Sequence, residues 1–405
     1  MATIETYTPF YKGVVMLKAV KVRLYPNNTQ KQIIATQIGG TRYIYNRMLA
    51  LKIFAYKKFG KNISKFELIK HATKLKKRDK TLWLKDIDSQ AIQQSISNMD
   101  TAYKNFFRRV KQGGAVGFPK FKSKHHSKQS FQYPQRVKLN DDKNKIFLPK
   151  VGWIKCKGFR KEFAGKIKTV TVSLEAYQYH ASILIDDDMQ ITTINHNHKI
   201  VGLDVGVKLV VADSNGNMVK PLNLERELTK LGKRAKQLSR KKKGSANRFK
   251  AKQKLAKINL KIANKRKDFL HKLSTKYSEN QAIVVEDLKI KNMSKSAKGT
   301  TQTPGKNVKA KAGLNRVITQ QSWGMFFEML DYKLKRNGGE LIKVDPKHTS
   351  QICPKCKHIS KENRLSQSKF VCQKCHYTNN ADIVGALNIL DRGIHGNNAY
   401  HQIAS

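Results

Sequence analysis

Apolar residues recur along this chain with two periods, and the switches between those periods divide it into elements. "MLKAVKVRLYP" alternates apolar and polar positions and stops at Pro26, which predicts a strand. From Thr29 the period becomes helical. "TQKQ" at 29–32 and "SKFE" at 64–67 have the form of capping boxes, in which the cap and the residue three further on satisfy each other's free backbone N–H groups. The clearest helix places Ile92, Ile96, Met99, Tyr103, Phe106 and Val110 at alternating steps of four and three, a single apolar face that ends at Gly113-Gly114 and belongs to a core. Between 146 and 185, "IKTVTVSL" and "YHASILI" return to period two and predict several short strands in a small barrel or sheet.

The second half repeats this alternation. "IVGLDVGVKLVVADSNGNMV" reads as a buried strand, a turn and a second strand closed by Ser-Asn-Gly. Two helices follow, one carrying Leu228, Leu231, Ala235 and Leu238 and the other Leu255, Ile258, Ile262 and Phe269, with "KKKGSAN" between them as a basic hairpin. "QAIVVEDLKIKNM" holds another buried strand, and "NNADIVGALNIL" opens a helix at its aspartate. The stretch 292–315 has no period and is rich in Lys, Gly, Ser and Thr, so it is expected to be a mobile loop, a lid.

Length and charge narrow the class. A chain of 405 residues suggests two to four domains. Lysine and arginine number 81 against 28 acids, a formal charge of +53 that calls for a long phosphate backbone as partner: nucleic acid rather than an acidic membrane, since no basic amphipathic anchor stands out. The N-terminus lacks the apolar core of a signal peptide, and no run approaches the ~20 apolar residues of a membrane span, so a soluble, cytoplasmic protein is expected. Translation from Met1 and from Met16 are both compatible with the sequence.

Five cysteines, four of them in two CxxC pairs, fit metal binding in a reducing compartment rather than disulfides. Cys353 and Cys356, then Cys372 and Cys375 after fifteen intervening residues, have the spacing of a four-thiolate zinc site. Four thiolates leave no position open for water, so this Zn2+ is structural. His358 and His376 are expected as exposed neighbours, and Cys156 as an ordinary strand cysteine.

The candidate chemistry lies in carboxylates, which are scarce. Asp204 sits within an apolar run, Glu286 ends a second buried strand and Asp382 heads the helix after the last cysteine. An acid in an apolar strand is costly unless paired or bound to a cation. Together the three supply the hard oxygen ligands that two Mg2+ (or Mn2+) ions about 3.5–4 Å apart require for phosphodiester hydrolysis. Asp213, before a turn, Asp287, on the opposite strand face from Glu286, and Asp345, before Pro346, rank below them. For nucleic-acid contact, Gln90 and Gln93 lie off the apolar stripe near a helix start, where amides can pair with adenine. "GFPKFKSKHHSKQSFQYPQR" interleaves Phe118, Phe121, Phe131 and Tyr133 with cations such as Lys120 and Lys122, the mixture that stacks on bases and holds phosphates.

"GLDVGVK", "VVEDL", "TSQICPKC" and "ADIVGALNIL", in that order, resemble the TnpB family of transposon-encoded RNA-guided DNA nucleases related to type V CRISPR effectors, and "VRLYPNNTQ", "YKNFFRRVKQGG", "GFPKFKSK", "LSRKKKGSANRFKAKQKLA" and "NKRKDFLHKLS" extend the likeness over nearly the whole chain. The resemblance implies a multidomain α/β protein: wedge strands in 1–27, a helical recognition domain in 28–114, a wedge β-barrel in 115–197, an RNase H-like RuvC nuclease in 198–347, a zinc-binding insertion in 348–378, and the RuvC C-terminal helix and tail in 379–405. It also implies a guide RNA from the transposon end, a DNA target next to a short flanking motif, one protein on one RNA, and catalytic positions at Asp204, Glu286 and Asp382. Lys357, where glycine is common, and Val384-Gly385, where Asn-Ala is frequent, depart from the pattern. A nuclease-inactive, RNA-guided repressor is the competing expectation, and an RNA-packaging or ribosome-associated protein a third.

Overall fold

The structure, a computed structural model, describes residues 17–114, 117–125, 128–159, 165–186 and 199–395. Both candidate start methionines, residues 187–197 of the expected barrel and the tail beyond 395 lie outside them. The described residues divide into two compact units, 17–186 and 199–395.

In the first unit, β1 (Leu17–Tyr25) leads into α1 (Asn28–Phe59). The cap of α1 is Asn27: its side chain accepts from Gln30 N at 2.8 Å, and the Gln30 side chain accepts from Asn27 N at 3.1 Å. The box therefore begins two residues before the expected Thr29, because Asn27 is the extended residue after Pro26 and Thr29 is already helical. Helix α2 (Lys65–Leu75) carries the Ser64/Glu67 box where expected. In α3 (Ser89–Lys111), Ile92, Ile96, Met99 and Tyr103 are buried against Ile44, Met48 and Leu49 of α1 and Leu68 and Ala72 of α2. The stripe outlasts this core, for Phe106 is half-buried and Val110 is exposed.

The strands of this unit are β2 (Gln129–Tyr133), β3 (Lys138–Leu139), β4 (Lys145–Leu148), β5 (Gly152–Lys157), β6 (Lys166–Glu175) and β7 (Gln178–Asp186). With β1 they form an antiparallel sheet in the order β2-β6-β7-β1-β5-β4-β3. Alternate residues, among them Val22, Leu24, Ile154, Val170, Val172, Ala181 and Ile183, fill one core face. Phe131 and Tyr133 belong to that face and are 4% and 0% exposed, so they do not serve as stacking aromatics; two residues apart on β2, they necessarily point the same way. Cys156 is buried on β5, and burial pushes its thiol up to about 11.

In the second unit, β8 (Ile200–Asp204), β9 (Val211–Asp213) and β10 (Met218–Val219) precede the hairpin of α4 (Glu225–Ser239) and α5 (Ala246–Tyr277). Then follow β11 (Ala282–Glu286), α6 (Ile290–Met293), α7 (Val308–Gln321), α8 (Trp323–Arg336), β12 (Glu340–Val344), β13 (Lys369–Val371), β14 (Thr378–Asn380) and α9 (Ala381–His395). The main sheet runs β10-β9-β8-β11-β12, with β8, β11 and β12 parallel. Parallel strands are covered on both faces. Ile283 and Val285 of β11 pack with Leu270, Phe326 and Leu330 of the helices α5 and α8, while Ala282 and Val284 pack with Ile389 of α9. Helix α9 lies so close to the sheet that a Cβ on Gly202 would stand 2.3 Å from Ala386 O, and one on Gly393 2.5 Å from a Val284 methyl. The expected lid loop is partly helical: α7 starts at Val308 and includes Asn315. It shows no apolar period because Ile318 is its single buried residue.

Candidate functional site

Strands β8 and β11 run side by side with Leu203 paired to Val285, so Asp204 and Glu286 end two neighbouring parallel strands in the same register. Leu203 and Val285 both face the α5–α8 core, which turns the two acids toward the α9 side. Asp382 lies in the first turn of α9, its N–H donating to Asn380 Oδ1 at 2.9 Å. One turn later stands Gly385, where a Cβ would come within 2.8 Å of Asp204 Oδ2. The three carboxylates thus gather at the C-terminal edge of the sheet, from positions up to 178 residues apart in sequence.

Their electrostatics reflect burial first and, at Asp204, crowding second. Burial, and then the charges of Glu286 and Asp382, push Asp204 up to about 7. Burial also raises Glu286, against the pull of its Thr349 hydrogen bond and of Arg392, and it raises Asp382 against Arg364 and Lys208. Like charges desolvated together favour whatever brings positive charge between them, and an all-oxygen set suits a hard divalent cation. The residues present fit such ions. The carboxylates do not all lie within 4.8 Å of one another, as the four thiolates do; two ions about 3.5–4 Å apart need ligands spread more widely than a single ion does.

Sequence reasoning missed the residues that hold this site. Thr349 Oγ1 donates to Glu286 Oε1 at 2.6 Å, and Asn388 Nδ2 of α9 donates to the carbonyls of Thr349 and Ile352 at 2.8 and 2.7 Å. Arg364 Nη2 approaches Asp382 Oδ1 at 3.4 Å. For Thr349 the available signal was its place four residues before Cys353, in Thr-Ser-Gln-Ile-Cys. The rival acids are occupied elsewhere. Buried Asp213 accepts from Asn215 N, Asn217 N, Asn217 Nδ2 and Tyr277 OH. Asp287 pairs with Lys289, and Asp345 accepts from Lys347 N.

The sulfurs of Cys353, Cys356, Cys372 and Cys375 all lie within 4.8 Å of one another, with Cys353–Cys375 at 3.6 Å and Cys356–Cys372 at 3.5 Å. Zinc–sulfur bonds of about 2.3 Å in a tetrahedron put sulfurs ~3.8 Å apart, so the set fits zinc. Each pair forms the same turn: Lys357 N donates to Cys353 O at 2.9 Å and His376 N to Cys372 O at 3.0 Å. Lys357 and His376 are both left-handed, at φ +59° and +55°, a conformation that explains why glycine suits position 357. His358 is half-buried and His376 exposed, and neither joins the thiolate cluster. Cys353 and Cys372 pack with Phe370, Ala381 and Val384, which seats the knuckle on the helix that carries Asp382.

In the first unit, Gln93 is exposed, whereas Gln90 is half-buried and donates its amide to Gln135 Oε1 at 3.2 Å. Phe118 and Phe121 are 47% and 57% exposed beside exposed Lys120. Phe118 also packs edge-on against Tyr103 and Phe106 at 5.5 and 5.4 Å. Lys122 is drawn inward, its ammonium 4.0 Å from the Tyr45 ring centroid. Among the described residues no helix is long and apolar enough to cross a membrane.

Three family models match the chain: "Helix-turn-helix domain" over 16–61, "Probable transposase" over 182–297 and "Cas12f1-like, TNB domain" over 323–389. A protein of Escherichia coli, "Putative RNA-guided DNA endonuclease InsQ", is 42% identical over 379 residues, covering 93% of this chain and 92% of its own. A "Putative RNA-guided DNA endonuclease" of Streptomyces pristinaespiralis is 30% identical, covering 93% and 89%. Among solved structures, "Structure of the mini-RNA-guided endonuclease CRISPR-Cas_phi3" shares the multidomain α/β fold at a TM-score of 0.50 and 11% identity, over 95% of this chain and 93% of that one. Nearly full-length identity of this degree means that the chain belongs to the TnpB family.

Proposed function

We propose that this protein is a transposon-associated, RNA-guided DNA endonuclease. A guide RNA pairs with one strand of a target beside a short flanking motif, and a single RuvC-type site cuts the separated DNA. The observation that carries the nuclease is the meeting of Asp204, Glu286 and Asp382 at one sheet edge, with Asp204 raised by burial and then by its two neighbours. These carboxylates would hold Mg2+ or Mn2+, which when bound supplies an activated water and stabilises the departing 3′ oxygen. The rest is done by the chain itself. The parallel β8–β11 pairing fixes two acids, the first turn of α9 fixes the third, and Thr349 orients Glu286. The four-cysteine knuckle, with structural zinc, shapes the nucleic-acid channel beside them.

The first unit supplies the wedge from its sheet and the recognition domain from its helices. Gln93, Phe118, Lys120 and Phe121 are its exposed candidates for nucleic-acid contact, with Gln90 and Lys122 behind them. A nuclease-inactive repressor gives no reason to crowd three half-buried carboxylates together. Asp204→Ala and Glu286→Ala are expected to abolish Mg2+-dependent cutting of a target plasmid while RNA and target binding persist. Cleavage by purified Asp204→Ala would place the chemistry elsewhere.

A further inference from the structure

Helices α4 and α5 enclose a cleft of about 400 Å³ lined by Asn223, Arg226, Glu227, Lys230, Lys261 and Lys265. No apolar side chain lines it, so it is unsuited to a hydrophobic ligand or to a partner helix. Its one acid, Glu227, is only 7% exposed and lies beneath the cations: Lys265 Nζ is 2.5 Å and Lys261 Nζ 3.5 Å from its Oε1. Arg226 and Lys230, on the facing helix, are exposed and have no acidic partner among the described residues. Two i,i+4 cation pairs therefore face each other across the cleft. On each helix the partners stand about 6 Å apart along the axis. A solvated basic face would leave its long side chains free; here a buried carboxylate holds two of them in place and leaves the other pair available.

We infer that this cleft is a subsite for consecutive phosphates of a nucleic-acid strand, with Arg226 and Lys230 contacting them and Glu227 fixing the Lys261/Lys265 wall. The inference rests on the nucleic-acid partner proposed above but not on hydrolysis. Full-length protein stripped of nucleic acid is titrated without added Mg2+ or Mn2+ and without chelator, with labelled single-stranded RNA, single-stranded DNA of the same sequence, and duplex DNA, between 0.1 and 0.5 M salt. Two lost contacts should flatten the log K against log salt slope of Arg226→Gln/Lys230→Gln by about 1.4 on a single strand or about 1.8 on a duplex. The same two contacts correspond to about 25-fold weaker single-strand binding at 0.1 M salt. A decrement on RNA assigns the strand to the guide, and one on DNA assigns it to the target.

Lys250→Gln/Lys254→Gln removes the same charge from α5 outside the cleft. An equal decrement in that control, or none in the Arg226/Lys230 variant on any probe, overturns the subsite and leaves bulk attraction. Wild-type protein that binds none of the probes overturns the nucleic-acid reading as well. Lys261→Gln/Lys265→Gln would strand Glu227 and endanger folding, which is why the exposed α4 pair carries the test.

Discussion

Thr349→Val removes one hydroxyl from the candidate metal centre and keeps the shape of the side chain. Thr349 is 4% exposed, and its single hydroxyl proton can go to Glu286 Oε1 at 2.6 Å or to Pro346 O at 3.1 Å; the shorter contact, to a carboxylate, takes it. A hydrogen bond to a charged group contributes about 1.5–3 kcal/mol. If that energy is what holds Glu286 in its ligating rotamer, its loss weakens divalent binding about 10–150-fold at 1.4 kcal/mol per decade. Outer-shell partners of metal ligands generally matter by about 10–100-fold, a range reached independently.

The assay is cleavage of a matched target by RNA-loaded protein across a Mg2+ titration, with Mn2+ binding followed by electron paramagnetic resonance in the absence of target. The half-saturating Mg2+ concentration should rise about 10–100-fold, Mn2+ affinity should fall in parallel, and Thr349→Ser, which keeps the hydroxyl, should restore both. A residue that only packs the loop would lower the melting temperature and leave the Mg2+ midpoint alone. A wild-type midpoint in Thr349→Val, or a serine variant as impaired as the valine one, would refute the role given to this hydroxyl.

Gly202→Ala drives a methyl into the Ala386 carbonyl and Leu390 backbone of α9, so about 1–3 kcal/mol or more of stability should be lost, together with cleavage; an unchanged melting curve counts against the close packing described. Tyr277→Phe removes the buried bond to Asp213 and should cost about 1.5–3 kcal/mol in denaturant titration without moving the Mg2+ midpoint; a moved midpoint would return Asp213 to the candidate ligands. With its thiol near 11, Cys156 is only about 0.1% thiolate at pH 8, and its alkylation should accelerate only as pH approaches 11 or the chain unfolds. Chelation should therefore expose four reactive thiols to a colorimetric reagent at pH 8, and a fifth only on denaturation. Five at once would mean that the first unit's core opens with the zinc site.

The acids were legible because of how parallel strands are buried. Strands covered on both faces read as unbroken apolar runs, and a carboxylate such as Asp204 or Glu286 can be tolerated only where such a run ends. Thr349 and Asn388 gave no such signal, since a hydroxyl in a loop and an amide in a helix are ordinary until their partners, 63 and 39 residues away, are known. The aromatic-cation stretch divided for the same reason. Phe118 and Phe121 stay exposed, but Phe131 and Tyr133 are claimed by β2, whose partner strand β6 sets Phe131 opposite Val172. A base-stacking loop and a half-buried strand share one composition, and long-range pairing decides between them.

The four-cysteine knuckle has no part in the hydrolysis proposed for the acids, yet the geometry gives it a reason to lie between the second and third of them. Asp204 and Glu286 are set by the hydrogen-bond ladder of adjacent strands, which fixes both within one sheet. Asp382 has no ladder. Its position is that of α9, which rests on the sheet through Gly202 and Gly393 and is braced at its first turn by Cys353, Cys372 and Phe370. The residues around the knuckle supply Arg364 to Asp382 and Thr349 to Glu286, the latter held by Asn388 of α9. A ligand set must hold its geometry to about half an ångström. On the proposed reading, four thiolates closed on a zinc ion would be a stiff way to set the third acid relative to the other two, and removing that ion would weaken divalent binding at the acids without touching any of them.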